Sequence, residues 1–253
     1  MMSFFVALRK EWLEQWRTYR LPVVAVVLVV FGLLSPLIAK YTPELIKLVP
    51  EGEAIAQLIP PPTAMDAVAQ YLKNMSQFGV ILALLLTMGA VAQEKDKGTA
   101  AMMLVKPLPR VTFLAAKFTA LALTFAASIA LAGVACYYYT WLMFGALDVT
   151  RWLAFNGLLL LFVLVYVALT LFGSVVAKSQ AAAGGLAFCF LLVLGLIGSI
   201  PGWGKYFPGQ LLTWGAGLVA GNAETFWPAL WVSVSIIIAA FVGAWRVFER
   251  QEL

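Results

Sequence analysis

Side chains able to do covalent or proton-transfer chemistry are scarce in this chain of 253 residues. It contains no histidine, which removes His-containing triads, histidine general bases, HExxH zinc sites and histidine-ligated haem together. The two cysteines, Cys136 and Cys189, lie inside long apolar runs, where packing is expected rather than a disulfide framework or a thiolate metal cluster. The nearest approach to a phosphate-cradling GxxxxGK[ST] loop surrounds Gly204 and Lys205. There Ser199 replaces the first glycine and Tyr206 the final Ser or Thr. The chain is therefore expected to bind no cofactor of its own, and ATP hydrolysis at a Walker-type site would have to come from another polypeptide.

The stretch with the most to say is residues 93–117, QEKDKGTAAMMLVKPLPRVTFLAAK. Glu94, Lys95, Asp96 and Lys97 form a mixed-charge cluster, and Gly98 and Thr99 supply a turn or cap. Residues 100–105, with Leu104, then read as a short apolar helix, which Lys106, Pro107 and Pro109 stop before Arg110 and Lys117 lead onward. A short helix with charged flanks has the properties of a coupling handle. Its apolar side seats in a partner's groove while the charges set register.

The elements that must position this handle follow from composition. An apolar content of 63%, a charged content of 11% and a mean hydropathy of +0.93 describe a chain dissolved in lipid. About 20 apolar residues are needed to cross roughly 30 Å of hydrocarbon as a helix. Six runs qualify, at 21–39, 75–92, 118–144, 152–177, 181–200 and 226–245. The first is expected to be retained, because residues 1–20 are too long and too mixed in charge for the basic segment of a signal peptide.

Six spans put both termini on one side. The flanks on that side carry twelve bases: Arg9, Lys10, Arg17, Arg20, Lys95, Lys97, Lys106, Arg110, Lys117, Lys178, Arg246 and Arg250. The other side carries five, Lys40, Lys47, Lys73, Arg151 and Lys205, while the acids divide six and six. The positive-inside rule then makes the first side cytoplasmic, in the cell membrane, with segment 93–117 and both termini facing the cytosol. Nothing in this distribution points to nucleic acid.

Ahead of the first span, Phe4, Phe5, Leu8, Trp12, Trp16 and Tyr19 fall within one helical arc interrupted by Gln15, with Arg9, Lys10, Glu11, Glu14, Arg17 and Arg20 outside it. This predicts an amphipathic helix over residues 1–20, lying in the cytoplasmic headgroup layer and turning into the bilayer at Pro22. On the outer side, residues 40–74 form a long proline-rich loop. Its Thr63 and Asp66 start a short helix running into the second span. Between the fifth and sixth spans, Pro201, Gly202, Gly204, Pro208 and Gly209 precede residues 211–220, a stretch too short to cross that reads as an interfacial or re-entrant piece on the outer side.

No span carries an ionisable residue near its centre, which disfavours an ion-coupled carrier. The polar groups there are mild, among them Thr87, Thr124, Ser128, Asn156, Thr170 and Ser174, and such hydroxyls usually bond to the preceding helical turn. Small residues repeat at spacings of about four, as in Ala122, Ala126 and Ala130 with Gly133, in Gly173 and Ala177, and in Ala181 and Gly185. These predict close helix contacts.

The chain resembles the ABC-2 type transporter permeases, the membrane subunits of type-2 ABC exporters. The likeness rests on Glu94 at the end of a span, Lys97, Gly98 and Thr99, Leu104 with Pro107, and Arg110 followed by Lys117. Arg9, Lys10 and Glu11 before the first span, with Trp12 and Trp16, resemble the family's interfacial connecting helix, and residues 201–227 its external re-entrant region. The resemblance implies an all-α integral membrane subunit with six transmembrane helices, an N-terminal interfacial helix, a cytoplasmic coupling helix and an external re-entrant segment. It further implies pairing with a second copy or a paralogous permease, and coupling through residues 94–110 to a separate ATPase that holds ATP and Mg. Efflux of an amphipathic or lipid-like substrate fits an interior without charge. An ion-coupled carrier would want intramembrane ionisable residues or an inverted repeat, and an intramembrane lipid-modifying enzyme would want paired carboxylates; neither pattern is present.

Overall fold

The structure is a computed structural model that describes residues 2–48, 50, 53, 60–96, 109–222 and 224–251. Among these the secondary structure is helical throughout: α1 (Met2–Arg17), α2 (Arg20–Ile46), α3 (Ala64–Thr87), α4 (Ala92–Asp96), α5 (Arg110–Phe144), α6 (Val149–Val176), α7 (Gln180–Gly198), α8 (Gly209–Ala220) and α9 (Trp227–Arg250), with a 3-10 turn at Gly204–Tyr206. Six helical stretches are long and apolar enough to cross a membrane: α2, α3 continued through α4, α5, α6, α7 and α9.

The most enclosed span is α6, whose Phe155, Leu159, Val163, Val167 and Leu171 are buried. It packs against α3, α5, α7, α8 and α9, while α2 lies along α5 and α3. Burial of this kind in lipid is secured by fit rather than by expulsion of water. The backbones of α2 and α5 approach closely. A Cβ on Gly32 would stand 2.6 Å from the backbone oxygen of Ala132, so only glycine permits the crossing. Gly173 likewise faces Ala183 and Leu186 of α7. Ala126 and Ala130 line an open groove between α5 and α6, and Gly133 in the same stripe packs closely on α6, where a Cβ would stand 2.8 Å from Asn156 Oδ1.

Several boundaries move from the sequence expectation. The first span runs on to Ile46, through Pro36 and Pro43, so the outer loop begins later than residue 40. Ser35 and Thr42 return hydroxyl hydrogen bonds to Phe31 O and Ile38 O along this stretch, each at 2.6 Å. The second span begins at the expected cap, where Asp66 Oδ2 accepts from Thr63 N at 2.7 Å and from Thr63 Oγ1 at 2.8 Å. It breaks after Thr87 and resumes at Ala92. The third span starts at Arg110, so Arg110 and Lys117 belong to a membrane helix rather than to the segment before it.

The pivot between α1 and the first span also differs. The chain turns at Thr18 and Tyr19, where Tyr19 adopts a left-handed φ of 59°. Pro22 falls in the first turn of α2, where a missing N–H costs nothing. Outside the bundle's charged end, α8 buries Leu211, Trp214 and Val219 and rests against α6.

Candidate functional site

The charged residues that the sequence distributes over α1, α4 and α5 converge on one buried ammonium. Lys117, about two turns into α5, is 3% exposed. Its Nζ donates to both oxygens of Glu11 on α1, at 3.1 and 3.0 Å, and to Oε1 of Glu94 on α4, at 2.7 Å. The same Nζ stands 4.9 Å from the centre of the Phe113 ring. Lys10 closes the outside of the cluster, 3.0 Å from Glu11, 3.1 Å from Glu14 and 3.8 Å from Glu94. Arg20, at the start of α2, donates to Gln93 Oε1 at 3.3 Å.

Charge balance explains why this cluster is tolerated. A lone buried ion costs several kcal/mol, and the cost is offset only where opposite charges and hydrogen bonds surround it. Ligand atoms of Glu11, Glu14 and Glu94 lie within 4.8 Å of one another, an acidic triplet of the sort that could hold a cation. Here the ammonium of Lys117 takes that place between Glu11 and Glu94. Burial pushes the Glu14 carboxyl up, but Lys10, Lys117 and Arg20 outweigh it and hold the group below its usual range. Burial pushes the Lys10 ammonium down, and Glu11, Glu94 and Glu14 together reverse the effect and raise it.

The face that α1 turns inward is therefore polar. Glu11 and Gln15 are buried, and Gln15 Oε1 accepts a hydrogen bond from Thr124 of α5. Phe5, Trp16 and Tyr19 point away from the bundle, as does Arg9, while Trp12 is half-buried. Sequence periodicity put Glu11 on the solvent side and treated Gln15 as an interruption of the aromatic arc. That interruption was the visible sign of an inward polar contact, because a glutamine in an apolar stripe requires a partner.

A second set of contacts laces the same end of the bundle. Lys95 Nζ donates to Val175 O at 2.6 Å and Ala177 O at 2.9 Å, capping α6, and reaches Gln251 Oε1 at 3.4 Å. Arg110 donates from Nη1 to Phe248 O, to Glu249 O at 3.1 Å and to Gln251 O at 2.8 Å, closing the C-terminus of α9. Its guanidinium also lies 5.6 Å from the Phe248 ring, which stacks on Phe113 at 5.6 Å. The break between α3 and α4 is held by Ser174 of α6. Its Oγ donates to Met88 O at 2.8 Å and accepts from the N–H groups of Val91 and Ala92, both at 3.0 Å. This hydroxyl bonds to a neighbouring helix, not to its own preceding turn.

Of the residues proposed from sequence for coupling, Glu94 and Lys95 are joined to the bundle by these bonds, Asp96 ends α4, and Arg110 opens α5. Lys97, Gly98, Thr99, Leu104, Lys106 and Pro107 lie outside the described residues. Sequence reasoning passed over Lys117 as the centre of the cluster, and the role of Ser174. Neither is marked by spacing, since each acquires its partners from a different helix.

Residues 6–214 match the sequence model of a family described as ABC-2 family transporter protein. The chain is also 27% identical over 263 positions to an uncharacterized transmembrane protein of Bacillus subtilis (strain 168), YxlG. That alignment covers 100% of this chain and 99% of its relative.

Proposed function

We infer the function from one premise: the chain belongs to the ABC-2 family of transporter proteins, and it is a multi-pass membrane protein. Membership makes it a membrane transport subunit of an ABC transporter, a family that works with a separate ATPase subunit. Beyond this we propose that it is the permease of an exporter in the cytoplasmic membrane, with the end carrying Lys117 facing the cytosol. Two permeases, either identical or paralogous, would assemble with ATPases that hold ATP and Mg. The excess of bases flanking that end supports the orientation. The cargo class that best suits spans without central charge is amphipathic or lipid-like.

The single observation supporting a coupling role for this end is the Lys117 cluster. One buried ammonium binds α1, α4 and the head of α5, so a push on the segment after α4 would reach two membrane helices and the N-terminal helix together. A packed ionic junction transmits displacement because it has few alternative arrangements. The test is co-expression with an ABC ATPase subunit, co-purification, and reconstitution into phosphatidylglycerol and phosphatidylethanolamine vesicles carrying a fluorescent-tailed phospholipid. ATP-dependent movement of the probe between leaflets is expected. A complex that hydrolyses ATP without moving it overturns the lipid-like cargo, and a chain that moves it alone down an ion gradient overturns the permease assignment.

A further inference from the structure

Where α6, α7 and α8 meet, a cavity is lined by Tyr166 of α6, Gly195 and Gly198 of α7, Gly204 of the 3-10 turn and Gly209 of α8. Much of its wall is bare backbone. Gly204 packs so closely on Gly198 O that no side chain fits there, which fixes the turn against the end of α7. Tyr166 is 8% exposed, yet its hydroxyl makes no hydrogen bond among the described residues. A phenol buried to this degree ordinarily has a partner. Its ring stands edge-on to Phe162, with 5.2 Å between centres. The facing wall is the start of α8, a helix of twelve residues with no side-chain cap. Gln210 N donates to Phe207 O and Leu211 N to Pro208 O, both at 3.0 Å, and among the described residues the Gly209 N–H has no backbone acceptor. A Cβ on Gly209 would meet nothing within 4 Å, so this donor borders open space.

The charge of the occupant follows from which groups are left over. The end of α7 also borders the cavity, but its carbonyls are engaged: Gly195 O accepts from Ser199 Oγ at 2.9 Å, and Leu196 O and Ile197 O accept from Ser199 N and Ile200 N, both at 3.1 Å. Among the described residues no Asp or Glu lines the cavity. Lys205, in the turn beside it, is exposed, lies against the Tyr206 ring and enters no ion pair among the described residues. The positive end of α8, a phenolic donor, a backbone donor and an ammonium therefore stand together without an opposing charge, the combination that holds a phosphate. Depth points the same way. The 19 residues of α7 extend about 28 Å at 1.5 Å per residue, close to the roughly 30 Å of hydrocarbon in a bilayer. Gly198 and the turn after it, with Trp203, Lys205 and Tyr206 exposed, thus reach headgroup level on the side away from the Lys117 cluster.

We propose that this cavity is a binding site for a phosphate group, seated between the Tyr166 hydroxyl and the first turn of α8. Tyr166 supplies the donor from the span and Gly209 the donor from the re-entrant helix, with Lys205 at the rim. A phospholipid headgroup and a free phosphate offer the same chemistry to these groups.

The full chain, with its eight tyrosines replaced by 3-fluorotyrosine, is tested by fluorine NMR in dodecylmaltoside micelles. The Tyr166 signal is the one missing from Tyr166→Phe, which removes a hydroxyl that has no partner and so should fold normally. Dioctanoyl phosphatidylglycerol is expected to shift this signal saturably, with an affinity about tenfold above that of dioctanoylglycerol, which carries the same tails without phosphate. Inorganic phosphate separates the two sources. A saturable shift means that the free anion suffices, and no shift, beside a shift with the phospholipid, means that the phosphate is lipid-borne. Gly209→Asp suits the start of a helix but sets a carboxylate in the cavity. It should leave thermal unfolding of the free chain unchanged or later, and weaken phosphatidylglycerol binding by about tenfold. Should that variant fail to fold, Gln210→Glu makes the same comparison. An equal response to dioctanoylglycerol, no response to either phosphate-bearing probe, or undiminished binding in a folded acidic variant overturns the proposal.

Discussion

Lys117 and Glu94 meet at 2.7 Å although they sit on different helices, and the same ammonium grips both carboxylate oxygens of Glu11. The three helix pieces so joined are the N-terminal helix, the short helix that ends at Asp96, and the third span. Local sequence order separates them, and a buried charge brings them together. The consequences can be measured.

Removing the central charge leaves Glu11 and Glu94 buried side by side. Lys117→Met is expected to destabilise the fold by about 3–5 kcal/mol, the range for stranding one side of a buried pair. The triple variant Lys117→Met, Glu11→Leu, Glu94→Leu, which removes every stranded charge in that contact, should recover most of the loss. Thermal unfolding in detergent reads both. A Lys117→Met protein as stable as the original would mean that the cluster is solvated.

The rim of the cluster sets a pH window. Glu14 is held below its usual 4.5, so its contribution is fully present above 4.5 and is lost as pH falls through the lowered value. Lys10 is raised above 10.5, so its contribution is present below 10.5 and is lost as pH rises through the raised value. Both side chains are about a third exposed, which limits each effect to about 0.2–1 kcal/mol. The difference in melting temperature between the unaltered chain and Glu14→Gln should be flat between pH 4.5 and 10.5 and vanish at acid pH. A difference that grows on acidification contradicts the assignment.

At the break in the second span, Ser174→Ala would leave the N–H groups of Val91 and Ala92 without their acceptor. A buried orphan of this kind costs about 1–3 kcal/mol, and Ser174→Thr, which keeps the hydroxyl, should cost less than the alanine. Denaturant unfolding of the two variants distinguishes a stitching hydroxyl from one that only fills space.

Arg110 closes the last helix through three carbonyl oxygens. Arg110→Lys keeps the charge but not the guanidinium Nη1 donor, and Arg110→Ala loses both. Cleavage by carboxypeptidase or trypsin near residues 246–251 should therefore accelerate in the order arginine, lysine, alanine, with a change of about 1 kcal/mol for the loss of favourable charge at a helix C-terminus. Equal rates would show that the tail is held by other contacts.

The spans were legible because the bilayer demands long apolar runs, whatever the packing. Their ends were less so. Pro43 reads as a loop residue, yet α2 continues past it, since a helix already paired with α3 and α5 tolerates one missing N–H. Pro22 invited the turn that Tyr19 makes, because a proline at the start of a helix and one that bends a chain look alike in sequence. Within the candidate site, Glu94, Lys95 and Arg110 stood out by type, and their partners did not. Val175 O and Phe248 O come from helices far along the chain and the Lys117 ammonium from a different helix than Glu94, and periodicity reports only which face a residue shares with its own helix.

ATP hydrolysis in a co-expressed ATPase reads the coupling role of this junction most directly. In reconstituted complexes, Glu94→Ala should leave assembly and basal hydrolysis intact while lowering cargo-stimulated hydrolysis by about tenfold, within the usual range of coupling energies of 1–3 kcal/mol. Lys178→Ala, an exposed base at the same end but outside the cluster, should leave stimulation unchanged. Undiminished stimulation in a stably assembled Glu94→Ala complex would contradict the claim that this ionic junction carries the movement into the membrane.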